Sequence, residues 1–143
     1  LIGSIVAAIL CNLPVHDEST LNASSYMNAG VAAGQAGNLR VSIQTLSRAV
    51  ATHPELAEAP VNLGRALELT NRPQDALICF ANAQQLDPSL VMVDALMGRN
   101  FERIGDRRAA LRHYRRAIEI DPQDTDSRRA ADRLASQIEA AAP

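Results

Sequence analysis

The residues that could do chemistry in this chain are few, and their arrangement points to recognition more than to reaction. His16, His53 and His113 are its three histidines, and none has a metal-ligand neighbour at helical spacing. His16 stands beside Asp17 and Glu18 in a polar stretch and would hold a metal only weakly. Cys11 and Cys79 lie far apart and outside any CxxC or Cys/His pattern. A disulfide between them stays open, though nothing in the spacing argues for one. There is no HExxH, no phosphate-cradling glycine loop and no nucleophile elbow. The sequence therefore gives no reason to expect catalysis, a metal, a cofactor or a small-molecule substrate. Other side chains suit binding. The amide of Asn62 both donates and accepts hydrogen bonds and so fits a peptide backbone. Arg65 and Arg99, 34 residues apart, each offer a guanidinium fork to a carboxylate. Met27 and Met92 add adaptable apolar contact.

The interval between Arg65 and Arg99 is the period of the whole chain. Gly30, Gly64 and Gly98 repeat at it, as do Ala49, Ala83 and Ala117, and His53–Pro54, Asp87–Pro88 and Asp121–Pro122. A fixed period of this size marks stacked supersecondary units, each burying its apolar face on the next. Aligned on it, the units run 23–56, 57–90 and 91–124, each with two helices of about a dozen residues. The turns between helices fall at Gly37–Asn38, Asn71–Arg72–Pro73 and Gly105–Asp106, where Gly and Asn tolerate the left-handed conformation and Pro73 can open a helix. A glycine inside a helix costs about 1 kcal/mol relative to alanine. Three of them in one column predict a close helix–helix contact with no room for a Cβ. Leu46, Phe80 and Tyr114 form one complementary large column, and Ala33, Leu67 and Phe101 another.

These residues resemble the tetratricopeptide repeat family. The likeness rests on Leu63–Gly64, Leu67, Ala76, Phe80, Ala83 and Asp87–Pro88, and on Gly98, Phe101, Ala110, Tyr114, Ala117 and Asp121–Pro122. It implies an all-α fold, an α-solenoid wound as a right-handed superhelix. The first unit departs from the pattern at Ser42 and His53. Tyr26 supplies the family's usual residue near the start of the first helix, whereas Pro60 and Asp94 replace it later and are expected to loosen the packing between units. Segment 125–143 resembles the capping helix and tail that close such a stack, with Ala131, Leu134 and Ile138 as its apolar stripe.

The resemblance also implies a concave groove lined by the first helix of each unit. Its candidates are Met27, Asn28 and Val31, then Val61, Asn62, Arg65 and Leu69, then Met92, Leu96, Arg99 and Arg103. Of the clamp by which some members grip a chaperone's terminal carboxylate, only Asn62 is present. Met27, Val31, Met92 and Leu96 occupy the other columns, which argues against such a tail. A second surface, a basic convex patch, is expected from Arg107, Arg108, Arg112, Arg115 and Arg116.

The net charge of −2 gives no pull toward nucleic acid, and no interleaved exposed aromatics offer stacking. Charge is nonetheless uneven: residues 99–133 carry ten Arg against seven acids, while residues 1–39 contain neither Lys nor Arg. The uncharged run Leu1–Leu13 is too short to span a bilayer, which takes about 20 residues. It reads as the remnant of an anchor or export signal, or as an extra packing helix. A lipidated Cys11 is disfavoured because Leu10 precedes it. Residues 14–22 read as a linker. The expected protein is a non-catalytic scaffold that holds a partner peptide or helix and supports a larger assembly. It would be tethered to a bacterial membrane with its repeats in the periplasm, the alternative being cytoplasmic. The competing functional class is a chaperone-like holder of unfolded clients.

Overall fold

The computed structural model describes residues 22–141, so the expectations for segments 1–13 and 14–21 and for Cys11 lie outside the described residues. Among the described residues, seven helices follow one another: α1 (Ala23–Gln35), α2 (Leu39–Thr52), α3 (Glu58–Leu69), α4 (Pro73–Leu86), α5 (Val91–Arg103), α6 (Arg107–Ile120) and α7 (Thr125–Ala140). Each packs on its neighbour in sequence, and α1 also touches α3. The result is three helical hairpins and a closing helix. Among the described residues, no helix is long and apolar enough to cross a membrane.

Local sequence sets the helix ends. Asn22, Asn38, Asp106 and Asp124 are N-caps whose side chains accept the backbone N–H three residues on. Pro73 opens α4, where its missing N–H costs nothing. Within each hairpin the turn is built alike. Gly37, Asn71 and Gly105 take φ of 79°, 59° and 88°. The next residue's N–H then reaches back to Ala33 O, Leu67 O and Phe101 O at 2.9–3.0 Å. This is the Schellman closure, and its left-handed residue is why Gly or Asn recurs there. At the far ends, Asp87 Oδ1 accepts from Ser89 and Asp121 Oδ1 accepts from Gln123 N, while His53 Nδ1 lies 3.2 Å from Glu55 Oε1. His53 is thus a turn residue in the slot its aspartate counterparts fill.

The glycine column behaves as its spacing predicts. A Cβ on Gly30 would lie 2.6 Å from Leu46 Cγ, one on Gly64 2.6 Å from Phe80 Cε1, and one on Gly98 2.8 Å from Tyr114 Cδ1. Each hairpin is therefore closed by one large side chain seated against bare backbone. The central cluster joins α3, α4 and α5 through Val61, Leu67, Ala76, Phe80, Ala83, Val93, Leu96 and Met97. Tyr26, Ala49 and Ala59 knit α1, α2 and α3. Ala110 and Tyr114 meet Ala131 and Leu134 of α7. Phe80 is wholly buried, a contribution of about 1.5–3 kcal/mol from transfer alone. Phe101 is partly buried; it bridges two clusters and stacks on His113 with centroids 5.1 Å apart.

The expected loosening at Pro60 and Asp94 does not occur. Both are under 2% exposed. Asp94 is closed in by Gln84 Nε2 at 3.0 Å, His113 Nδ1 at 2.9 Å and Arg116 Nε at 3.3 Å. A polar hub fills the space that an apolar ring would otherwise take.

Candidate functional site

The first helices of the three hairpins, α1, α3 and α5, carry a groove along one side. At one end a hollow of about 280 Å³ lies between Val31 of α1, Ser42 and Leu46 of α2, and Asn62, Arg65 and Leu69 of α3. At the other, a hollow of about 560 Å³ is walled by Glu58, Val61, Asn62 and Arg65 of α3, by Val91, Met92 and Ala95 of α5, and by Asp121 and Asp124 before α7. Asn62 and Arg65 border both. These two residues, one turn apart on α3, mark the middle of a continuous track. Its surface is largely apolar, and Leu69 and Met92 are 68% and 52% exposed.

Six of the eleven expected groove residues line this track: Val31, Val61, Asn62, Arg65, Leu69 and Met92. Val61 does so as floor, since it is 6% exposed and part of the central cluster. The other five are placed differently. Leu96 is buried in that same cluster, because the α5 face that meets α4 takes it inward. Met27 packs against the Tyr26 cluster, and Asn28 is exposed beside it. Arg99 Nη1 stands 4.0 Å from Glu68 Oε1. Arg103 bonds Glu68 O at 3.1 Å and Asn71 Oδ1 at 3.0 Å, so it clasps the end of α3. Glu68 in turn accepts from Asn100 Nδ2 at 2.8 Å. Arg103 thus belongs to the joint between hairpins, Arg99 stays 60% exposed beside it, and Arg65 is the arginine that borders both hollows.

Sequence reasoning missed the acidic rim. Glu58 sits four residues before Asn62 on α3, a helical spacing that could have revealed it. Asp121 and Asp124 come from the turn after α6, and nothing in the first-helix pattern could have placed them there. Burial alone would raise the Asp124 pKa. Hydrogen bonds from Ser127 and from the Asp126 backbone outweigh it and hold the carboxyl below the usual range.

The five arginines of the basic patch are all exposed. Arg116 is engaged by Asp94, and Arg107 and Arg108 border a shallow hollow at the end of α7. Cys79 is partly buried against the central cluster, and burial pushes its thiol pKa up, helped by Asp75. It is a packing residue.

Hairpins of this geometry, stacked with first helices along one side and closed by a polar-backed helix, define an α-solenoid interaction fold. Models of the tetratricopeptide repeat match residues 27–90 and 95–124, together about two thirds of the chain. The chain belongs to the tetratricopeptide repeat family. No curated protein sequence matches it. Among solved structures it is similar to the first repeat domain of Spaghetti (RPAP3) bound to the HSP90 peptide SRMEEVD. That likeness has 15% identity and a TM-score of 0.78 over 82% of this chain and 96% of that one. It is similar to MamA at 19% identity and a TM-score of 0.79, over 82% and 69% of the two chains. The Sgt2 domain of Aspergillus fumigatus matches at 18% identity and a TM-score of 0.74, over 82% and 79%. At these identities the likeness is one of fold.

Proposed function

We propose that the chain is a non-catalytic scaffold that holds a partner peptide or helix along the track from Val31 through Asn62 and Arg65 to Met92. The observation that carries this reading is the continuity of the two hollows through Asn62 and Arg65. The half-buried amide of Asn62, bordering both hollows, can bond a peptide backbone in both senses, and the flanking apolar surface gives side chains somewhere to bury. Similarity in fold to a chain bound to a peptide supports it. In the fuller form of the proposal, Leu1–Leu13 tethers the repeats to a membrane and the held partner is recruited into a larger complex. Detergent-dependent release of the full chain from membranes, lost on deleting residues 1–13, tests the tether.

The groove is tested by Ala95→Trp, which fills the larger hollow, together with Asn62→Ala. Affinity for a purified partner, measured by calorimetry on variants with unchanged melting curves, should fall about tenfold or more for the tryptophan variant. Affinity unaltered by both changes would overturn the reading.

A further inference from the structure

The two ends of the track differ in charge. Among the described residues, the hollow between α1 and α3 has no acidic residue in its lining, and Arg65 is the one ionised side chain there. The larger hollow meets three acids, Glu58, Asp121 and Asp124, against the same single Arg65. Glu58 is exposed in the first turn of α3, and Asp121 and Asp124 are half-buried at the far wall. Asp121 uses Oδ1 to accept from Gln123 N, and Asp124 uses Oδ1 to cap α7. Between these acids lies apolar surface from Val91 and Met92, which are 42% and 52% exposed.

We propose that this end of the groove takes a polypeptide segment bearing a lysine or arginine next to an aliphatic or aromatic side chain. The apolar part would bury on Val91 and Met92 while the cation meets the rim of Glu58, Asp121 and Asp124. The proposal rests on the groove reading above and adds the sign of the partner. Charge complementarity is what selects it: a segment presenting only acidic side chains at this end would meet three like charges. Arg65, at the track's midpoint, then favours a carboxylate further along the same segment.

The test is selection of a random-peptide display library on the full chain, followed by binding measurements on the enriched peptides. Peptides enriched for Lys or Arg adjacent to an apolar residue are expected. Their affinity should fall about fivefold in Glu58→Arg and weaken with added salt. Peptides blocked by Ala95→Trp but showing no cation preference, and indifferent to Glu58→Arg, would overturn this inference and leave the groove standing. Peptides indifferent to Ala95→Trp, or a library yielding no binder, would overturn both.

Discussion

Tyr26 in the first hairpin and Asp94 in the third hold equivalent places in the repeat, yet they close their hairpins by opposite means. Tyr26 is an aromatic body in an apolar cluster with Ala49 and Ala59, backed by Met27, Val50 and Leu56. Asp94 is a carboxyl group at 1% exposure, surrounded by donors from α4 and α6. Burying a carboxyl costs several kcal/mol unless its oxygens are well bonded. Gln84, His113 and Arg116 offset that cost. An apolar cluster tolerates small slides, whereas the hub forms only when α4, α5 and α6 stand in one register. The joint between second and third hairpins is further fixed by Glu68–Asn100 and Arg103–Asn71. One backbone slot thus accepts either chemistry, and the polar solution is the more demanding of geometry.

The largest expected effects attack the two slots directly. Tyr26→Ala should cost about 3–5 kcal/mol in a urea melt, since a ring leaves a packed cluster. Asp94→Ala should cost about 3 kcal/mol, because Gln84 and His113 lose a buried acceptor. A double-mutant cycle between Asp94 and His113 sharpens the contrast: it should show coupling above about 0.5 kcal/mol. An additive cycle, or an Asp94→Ala variant as stable as the parent, would show that the hub contributes nothing. Gly64→Ala tests what the hairpins share instead. Its new Cβ would meet the Phe80 ring at 2.6 Å, so the melt should shift by about 1–3 kcal/mol from overpacking.

How much of this was legible in the sequence depended on whether the determinant recurs. Gly30, Gly64 and Gly98, the turn residues Gly37, Asn71 and Gly105, and the Leu46–Phe80–Tyr114 column all repeat at 34 residues, and the structure uses each column for one physical job. Asp94 broke its column and so read as a defect. Its partners lie 10 to 22 residues away, on two other helices, where no local pattern could pair them. The groove was half legible for the same reason. The family resemblance pointed to Asn62, Arg65 and Met92, which border the two hollows, but helical facing alone could not tell that Leu96 turns inward or that Arg103 clasps Asn71. The acidic rim depends on a turn between hairpins, outside any helix period.

A smaller effect separates the polar end of the molecule from the apolar one. Tyr114 donates a long 3.4 Å hydrogen bond to Glu102, which Arg133 of α7 grips through both guanidinium nitrogens at 2.7 and 3.1 Å. The pKa of the phenol is pushed up to about 12, chiefly by burial and then by the Glu102 charge and bond, against the pull of Arg99 and Arg133. An unfolded tyrosine ionises near pH 10. Between those values the folded chain keeps a proton that the unfolded chain has lost, so this contribution to stability is whole below about pH 10 and is lost as pH rises through 12. Absorbance titration should show a late phenol transition that Tyr114→Phe removes. Tyr114→Phe should also flatten the fall in melting temperature above pH 10. If the late transition survives in Tyr114→Phe, it belongs to Tyr26, and the burial and Glu102 contacts of Tyr114 do not hold its proton. Arg112→Ala, on an exposed face of α6 clear of both the Asp94 hub and the Glu102 bridge, should move the melt by no more than about 0.5 kcal/mol. A larger shift would mean that the arginine-rich face of α6 takes part in holding the stack together, and the division between a polar joint and a solvated surface would have to be redrawn.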